Sequence, residues 1–468
     1  MGLDYFRMLV KKRQSIMDDI DDMGPAESQP LGDSMAYSQI LERQAPTEVT
    51  TRHMQPSNGS SFGPSQEIRI PLSVQHGVFV ASDSVCLNFT CQLDRTATAA
   101  DASIGLDGGA GAVVREIAVY GPTGNVINRV SEYNKLNWVM DSYTRPAVDQ
   151  IAMDGFSFVA AGAGLIPAAG DRTDSGSDTG TRQFTLRLSR VGLFNCDRLI
   201  PLGFTAGAPV SVSIILESTA QAITASSAST SVSYSLSDVS ISMDCITYSS
   251  AVTSQFESLV QQIGGVQWAS KPDSHFKMAG QTALGTSSNI SVQIPVREKS
   301  TNYLVTTLHP NSTQNVQASR SITGLINRGL TEYSHSIGGL QFPPKPVKLS
   351  ATHMGEHIRQ YQRVLGKLND PQFHNILTYA QIGDDAGGTA SRTLYSTDKD
   401  KGSLFAIWQS FQPERNKLEN GLALNDSSLN VILQATGATM TESTICTTFV
   451  NSDAIYTLTA SGELLVSS

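Results

Sequence analysis

Charged residues are scarce in this chain, and cysteine is scarcer still. Of 468 residues, 16% are charged and 5 are cysteine. Five scattered cysteines are too few for the disulfide framework of a secreted domain. A net charge of −9 excludes a surface that serves as a whole as a nucleic-acid footprint. No apolar run approaches the length of a membrane span, and the N-terminus shows no signal-peptide core, so we expect neither feature.

Catalytic motifs are also lacking, although two short patterns imitate them. The segment HMGEH (His353–His357) fits a zinc-binding pattern on a helix, but no clear third ligand follows it. The segment GSSFG (Gly59–Gly63) fits a nucleophile elbow, yet it lies in a Ser/Pro/Gly-rich stretch rather than between a strand and a helix. We therefore expect no catalytic, metal-binding or cofactor-binding residue in this chain.

Short β-branched segments dominate what is present. The length favours two domains. Low charge with abundant Ser, Thr, Gly and Ala is typical of β-structure with long loops. Strands are predicted at EIRIPL, VCLNFTCQL, REIAVYG, FTLRLS, VSVSIILE and VSYSLSDVSISMDCITY, and again at NISVQIPV, NYLVTTLHP, LFAIWQSF, LNVILQATG and AIYTLTASGELLVSS. The three tryptophans, Trp138, Trp268 and Trp408, are interpreted as packing anchors.

The first 65 residues differ from the rest. Residues 1–24 show the period of a short helix, and residues 25–65 are rich in Pro, Ser, Gly and Gln, which favours an extended arm. We expect this arm to act in assembly. Its candidate contact residues are an apolar stripe with neighbouring basic side chains: Phe6, Leu9, Lys11, Lys12, Arg13, Ile16 and Ile20.

Two segments share one helical pattern at a distance of 228 residues. The first stripe is Val126, Val130, Tyr133, Leu136 and Met140; the second is Met354, Ile358, Tyr361, Val364 and Leu368. The strand-like segments VSIIL and LNVIL match at an offset of 217. The chain is therefore interpreted as a duplicated β-rich unit, with Val130, Tyr133, Leu136, Ile358, Tyr361 and Val364 as equivalent helix-packing positions. A chance match of short apolar patterns is the alternative.

A capped helix at Ser249–Gly265 separates the two units. The predicted domains are an N-terminal arm (1–65), a first jelly roll (66–250) and a second jelly roll (251–468). The predicted fold class is all-β, with short helical excursions and a helical and extended N-terminal arm, and a β-sandwich of roughly eight strands has the jelly-roll pattern. The assignment of the two units as tandem jelly-roll β-sandwiches is what the family resemblance given next implies.

In layout the chain resembles a known family over about Gln66 to Ser468. The resemblance rests on VVREIAVYGPTGNVINRVSEYNKLNWVMDS, FNCDRLIPLGFTAGAPVSVSIILES and GSLFAIWQSF followed by NGLALNDSSLNVILQ. These segments are similar to the double jelly-roll major capsid proteins of icosahedral DNA viruses of the adenovirus-like lineage. Within that lineage they look most like the capsid proteins of virophages, polinton-like viruses and adintoviruses.

The resemblance implies a structural tile of a virion rather than an enzyme, assembled inside the host cell. Three copies would form a pseudo-hexagonal capsomer that contacts neighbouring capsomers and minor capsid or penton proteins. The arm could also contact an internal membrane, and no sequence-specific nucleic acid binding is expected.

Two other classes fit a chain of this composition. A bicupin-like metal-dependent enzyme can also be a double jelly roll, but its metal site needs clustered histidines, and the eight histidines here are dispersed. A carbohydrate-binding β-sandwich protein is the third candidate, and a secreted one would be expected to carry a signal peptide.

Overall fold

The structure is a computed structural model. It describes residues 47–96, 104–144, 177–196, 198–225, 231–277, 289–311, 314, 321–327, 330–350, 352–366, 405–412, 421–426, 430–437 and 444–467. Contacts divide the chain at Glu48 into a unit of residues 1–47 and a unit of residues 48–468.

The second unit consists mainly of antiparallel strands in two halves. The strands of the first half are β1 (Glu48–Met54), β2 (Ser61–Phe62), β3 (Glu67–Pro71), β4 (Val78–Ala81), β5 (Cys86–Thr96), β6 (Ile104–Leu106), β7 (Val114–Tyr120), β8 (Val126–Ser131), β9 (Ser177–Arg187), β10 (Leu199–Ile200), β11 (Ser211–Leu216), β12 (Ile223–Ala225) and β13 (Ser231–Thr247).

The second half contributes a further set. These strands are β14 (Gly265–Ser270), β15 (Asp273–Lys277), β16 (Asn289–Ile294), β17 (Thr301–Pro310), β18 (Leu330–Ile337), β19 (Leu340–Lys348), β20 (Ala406–Ser410), β21 (Val431–Gly437), β22 (Thr444–Ser452), β23 (Ala454–Thr459) and β24 (Leu464–Ser467). The helices of the described residues are α1 (Tyr133–Thr144), α2 (Thr219–Ala222), α3 (Ser250–Ile263) and α4 (Gly355–Val364).

The second half has the strand order of a jelly roll. Its two sheets run β15-β22-β17-β20 and β16-β21-β18-β19. When β15 to β22 are counted from one to eight, the sheets read 1-8-3-6 and 2-7-4-5, so chain neighbours pass from one sheet to the other as in two Greek keys. A third sheet, β14-β23-β24, adds three strands beside this sandwich.

The first half repeats the same order. One sheet runs β3-β11-β7-β8. In the other, β13 pairs with β5 on one edge and with β1 and β2 on the opposite edge, while β9 extends the sheet beyond β5. If β1 and β2 count as the first strand and β3, β5, β7, β8, β9, β11 and β13 follow, the sheets again read 1-8-3-6 and 2-7-4-5. The predicted all-β fold with two tandem jelly rolls is confirmed.

Alternating side chains explain why the strands bury one face. In β16, NISVQI, Ile290, Val292 and Ile294 are buried while the residues between them are exposed. The central strand β17, which lies between β22 and β20, is instead buried on both faces.

The predicted arm ends earlier than expected. Residues 48–54 were assigned to it, yet they form β1 and pair with residues 241–247 of β13. The polar sequence EVTTRHM hides this strand because only its alternate side chains are even partly covered. The first sandwich therefore begins near Glu48 rather than at residue 66. The other residues predicted to act in the arm, Phe6 to Ile20, lie outside the described residues.

The predicted helical stripe starts too early. Val126 and Val130 were placed on a helix, and this is wrong: both lie on β8, which pairs with β7. The segment GPTGN between β7 and β8 forms the hairpin turn, in which the Gly121 amide donates to the Asn125 carbonyl at 2.8 Å. The helix begins only at Tyr133, after Glu132 with φ 51°.

The linker helix α3 is where the sequence predicted it. Ser249, in extended conformation, precedes its first turn, and Gly264, with φ 78°, ends it. Phe256 of α3 packs against Phe79 and Phe204 of the first sandwich, with ring centroids 5.1 and 4.6 Å apart. The linker is therefore fixed to the first sandwich by aromatic packing.

Candidate functional site at the junction of the two sandwiches

The two sandwiches meet through a buried aromatic cluster. Tyr143, near the end of α1, contacts Trp408 of β20 with centroids 4.7 Å apart and Tyr361 of α4 with centroids 5.1 Å apart. All three side chains are fully buried. Each edge-to-face pair stabilises the contact by about 0.5–1.5 kcal/mol beyond area burial. The helices that follow the β7–β8 and β18–β19 hairpins thus meet at the junction.

A polar cluster, buried at Asp141, Asp273 and Asn451 and partly buried at Arg190 and Tyr303, lies at the same junction. Arg190, after β9, lies 3.7 Å from Asp141 of α1. Asp273 of β15 accepts hydrogen bonds from Tyr303 at 3.2 Å and from Asn451 at 2.9 Å. Burial raises the pKa of Asp273 to about 6, although Asn451, Arg190 and Tyr303 each act to lower it. The first sandwich therefore supplies a cation that faces a carboxyl group of the second.

Hydrogen bonds join the halves at other points. The Asp107 carboxylate accepts from the Ile322 amide at 2.6 Å and also from the Thr323 amide and hydroxyl. Such charge-assisted bonds are stronger than neutral ones. On another side, the Ala206 amide donates to the Gly462 carbonyl at 2.9 Å. The described contacts therefore hold the two sandwiches as parts of one unit.

The residues predicted to pack on the repeated helices differ in burial. Tyr133, Leu136 and Tyr361 are fully buried on their helices, and Val130 is fully buried on its strand. The Tyr133 hydroxyl donates to the Arg187 carbonyl at 3.1 Å.

Ile358 and Val364 are partly buried and pack against the core. Tyr133 is the first residue of α1, whereas Tyr361 lies in the second turn of α4. Residues that are 228 apart in the sequence therefore do not occupy equivalent positions in the two helices. The equivalence of the two helices remains a prediction at the level of elements.

The two HMGEH histidines differ in burial and in the residues that they contact. His353 precedes α4 and is exposed, whereas His357 is buried, stacks on Phe405 at 5.7 Å and lies 3.1 Å from the Tyr333 hydroxyl. Burial lowers the pKa of His357 to about 3. Within the described residues, no group of three or more His, Cys, Asp or Glu side chains is placed to hold a metal ion. His357 is a packing residue.

No helix among the described residues is long and apolar enough to cross a membrane.

Sequence reasoning identified some junction residues and missed others. Trp408 was interpreted as a packing anchor, and it is fully buried. Tyr143, Arg190 and Asp273 were missed. Tyr143 stands at the end of a helical apolar pattern and could have been included by extending that pattern one turn. For Arg190 and Asp273 the sequence gives no signal, because their proximity depends on the packing of distant segments.

Two jelly rolls in tandem within one compact unit define the double jelly-roll fold. No family model matches this chain, and no curated protein matches it by sequence. A PBCV-1 virus capsid structure is similar with a TM-score of 0.54 over 91% of this chain and 98% of that chain, at 12% identity. A chain of the Sputnik virophage structure gives 0.56 over 91% and 89%, at 12% identity.

The Faustovirus major capsid protein gives a TM-score of 0.54 over 88% of this chain and 90% of that chain, at 6% identity. Identities this low establish the fold alone. The fold that this chain shares with these viral structures is the double jelly roll expected from its sequence.

Proposed function

We propose that this chain is a viral major capsid protein, a structural tile of an icosahedral shell located in the virion. The observation that carries the proposal is the repeat of one jelly-roll strand order in both halves. Its likeness to viral capsid structures over about nine tenths of both chains supports it. The role is structural rather than enzymatic, as it is for the capsid proteins that share the fold.

The architecture suits a tile with threefold symmetry. Each chain supplies two sandwiches of the same strand order, so three chains supply six. A closed ring of three identical chains has threefold symmetry, yet six similar sandwiches approximate a hexagon. The buried junction, with Tyr143, Tyr361 and Trp408 at its centre, keeps the two sandwiches of each chain in a fixed relation. A hexagonal outline requires this rigidity.

The partners follow from this role. The chain would bind two further copies of itself within a capsomer, then neighbouring capsomers and minor capsid or penton proteins. We also propose that residues 1–24 dock on a neighbouring tile, a minor protein or an internal membrane. The apolar stripe and basic side chains of that segment support this, because a short amphipathic helix is marginal alone in water and needs a surface to cover it.

Sedimentation of the purified chain tests the proposal. We expect a trimer at micromolar concentration, held by interfaces in the obligate range of ~2,000 Å² or more. A stable monomer under the same conditions would contradict it.

A further inference from the structure

Lys135, in the first turn of α1, is a buried lysine. Its side chain has an exposed fraction of 0%, and its ammonium nitrogen Nζ lies 2.8 Å from Glu132 Oε2. Lysine is rarely fully buried unless it is paired. A lysine held away from water beside a base is also the setting in which its amine becomes a nucleophile.

Glu132 is held beside this amine by an unusual backbone. It has φ 51°, a left-handed conformation that is uncommon for residues other than glycine. Its carbonyl accepts the amides of Lys135 and Leu136 at 3.1 and 3.2 Å, which fixes it at the start of α1. The carboxylate is thus placed to take a proton from Nζ.

A side-chain amide from the second half completes the site. Gln314, which follows β17, places its carbonyl Oε1 at 3.5 Å from Lys135 Nζ. This distance is long for a hydrogen bond, and Oε1 belongs to the carbonyl group whose carbon, Cδ, an amine would attack. The Gln314 amide nitrogen Nε2 donates to the Ser321 carbonyl at 3.1 Å, which orients the group.

A second carboxyl group, Glu217, lies close enough to interact electrostatically with Glu132 and Lys135. It is buried and accepts a hydrogen bond from Asn134 Nδ2 at 2.9 Å. Burial first, and then the charge of Glu132, raise the pKa of Glu217. Glu132 contacts Lys135 Nζ directly at 2.8 Å and is assigned as the base.

We propose that Lys135 and Gln314 form an intramolecular isopeptide bond that covalently links the two sandwiches. Glu132 takes one proton from the Lys135 ammonium, and the neutral amine attacks Cδ of Gln314. The Nζ–Cδ bond forms, a second proton passes from Nζ to Nε2, and the Cδ–Nε2 bond breaks. Ammonia leaves, Glu132 keeps the proton that it took, and no other reactant is needed.

The bond would lock the junction independently of the proposed function. Lys135 belongs to the helix that reaches Tyr143, and Gln314 follows the central strand of the second sandwich. Separation of the sandwiches would then require a covalent bond to break as well as aromatic contacts.

Intact mass spectrometry of the purified full-length chain under denaturing conditions tests this proposal. The chain should be lighter than its sequence mass by one ammonia. Cyanogen bromide, which cleaves after methionine, separates residues 55–140 from residues 279–354 in an unlinked chain. In the linked chain these two fragments should stay joined. A chain at its full sequence mass after prolonged incubation would overturn the proposal.

Four variants assign the chemistry. Lys135→Arg and Gln314→Ala should both retain the full mass, and Glu132→Gln should form the bond roughly 100-fold more slowly, as expected for loss of a general base. Lys348→Arg, at an exposed lysine of β19, should form it like the wild type. Loss of ammonia in Lys135→Arg would place the reaction elsewhere, for example at an asparagine succinimide, and would also overturn the proposal.

Discussion

At the scale of residues, the buried carboxyl group of Asp273 destabilises the folded state when it is ionised. Its folded pKa is about 6, whereas an unfolded aspartate titrates near ~3.9. Below about pH 4 the group is protonated in both states. As pH rises towards 6 and beyond, the folded state must hold a buried charge that burial disfavours, so the contribution of this group to stability falls.

Asp273→Asn should therefore remove part of the pH dependence of folding. Relative to the wild type, the variant should gain up to about 3 kcal/mol in free energy of unfolding between pH 4 and 7, from about 1.4 kcal/mol per pKa unit. Urea unfolding across that range measures this, with Asp83→Asn at an exposed aspartate as the control. Parallel pH profiles for Asp273→Asn and the wild type would refute the assignment.

The titration of His357 should make stability depend on pH in the opposite direction. Its folded pKa of about 3 lies below the ~6.5 of an unfolded histidine. Its contribution to stability is complete above pH 6.5 and is lost as pH falls towards 3, since only the unfolded chain takes up the proton. Between pH 7 and 4, the free energy of unfolding of His357→Phe should fall by about 3 kcal/mol less than that of the wild type. His353→Gln, at the exposed histidine of the same motif, should follow the wild type; equal acid sensitivity of all three proteins would exclude His357.

At the scale of elements, the turn between β23 and β24 touches the first sandwich. Gly462 in this turn has φ +79°, and a Cβ added there would lie 2.6 Å from both the amide nitrogen and the Cβ of Ala206. Gly124, in the β7–β8 turn, has the same φ but no atom within 4 Å of an added Cβ. The two glycines share a backbone requirement and differ only in the junction contact.

Alanine at these two turns separates backbone strain from contact. Gly124→Ala should lose about 1 kcal/mol of stability from the left-handed conformation alone. Gly462→Ala should lose about 2–4 kcal/mol, because the added methyl must also displace Ala206. Thermal and urea unfolding of both variants measure the difference. Equal losses would mean that the Ala206 contact does not hold the sandwiches together.

Most elements could be predicted from the sequence, because local patterns determine them. Alternation marks β16, and Ser249 and Gly264 mark the ends of α3. The prediction of a helix over Val126 and Val130 was wrong because apolar residues four positions apart share one face in a helix and also in a strand. The GPTGN turn, which favours a hairpin, decides between them.

The junction itself could not be predicted from local patterns. Tyr143 meets Trp408, and Arg190 faces Asp273, only after distant segments have packed. A hydrophobic pattern shows which side chains are buried but not which partners they meet. The strand β1 was missed for a related reason: its polar sequence becomes a strand by pairing with β13 across nearly two hundred residues.

At the scale of the whole molecule, the N-terminal segment should act in assembly and not in folding. The described strands of the two sandwiches begin at Glu48, well after residues 1–24, so we expect the trimer of the truncated chain to form and melt like that of the full chain. Closed shells should not form, because the docking stripe is lost. Light scattering and microscopy of assembly reactions measure this. Normal shells from the truncated chain would contradict the proposal, and loss of the trimer would assign the segment to the fold.

The repeat of one strand order in both sandwiches determines how whole chains would be arranged in a capsomer. In the proposed tile, three chains would arrange six sandwiches around one axis. The proposed function therefore predicts a particle symmetry that can be seen directly.

Electron microscopy of the purified full-length chain, with two-dimensional averaging, tests this claim most directly. We expect particles with threefold symmetry, six lobes and a hexagonal outline, alone or tiled in shells. Averages that show only single two-lobed particles, or rings of any other symmetry, would contradict it.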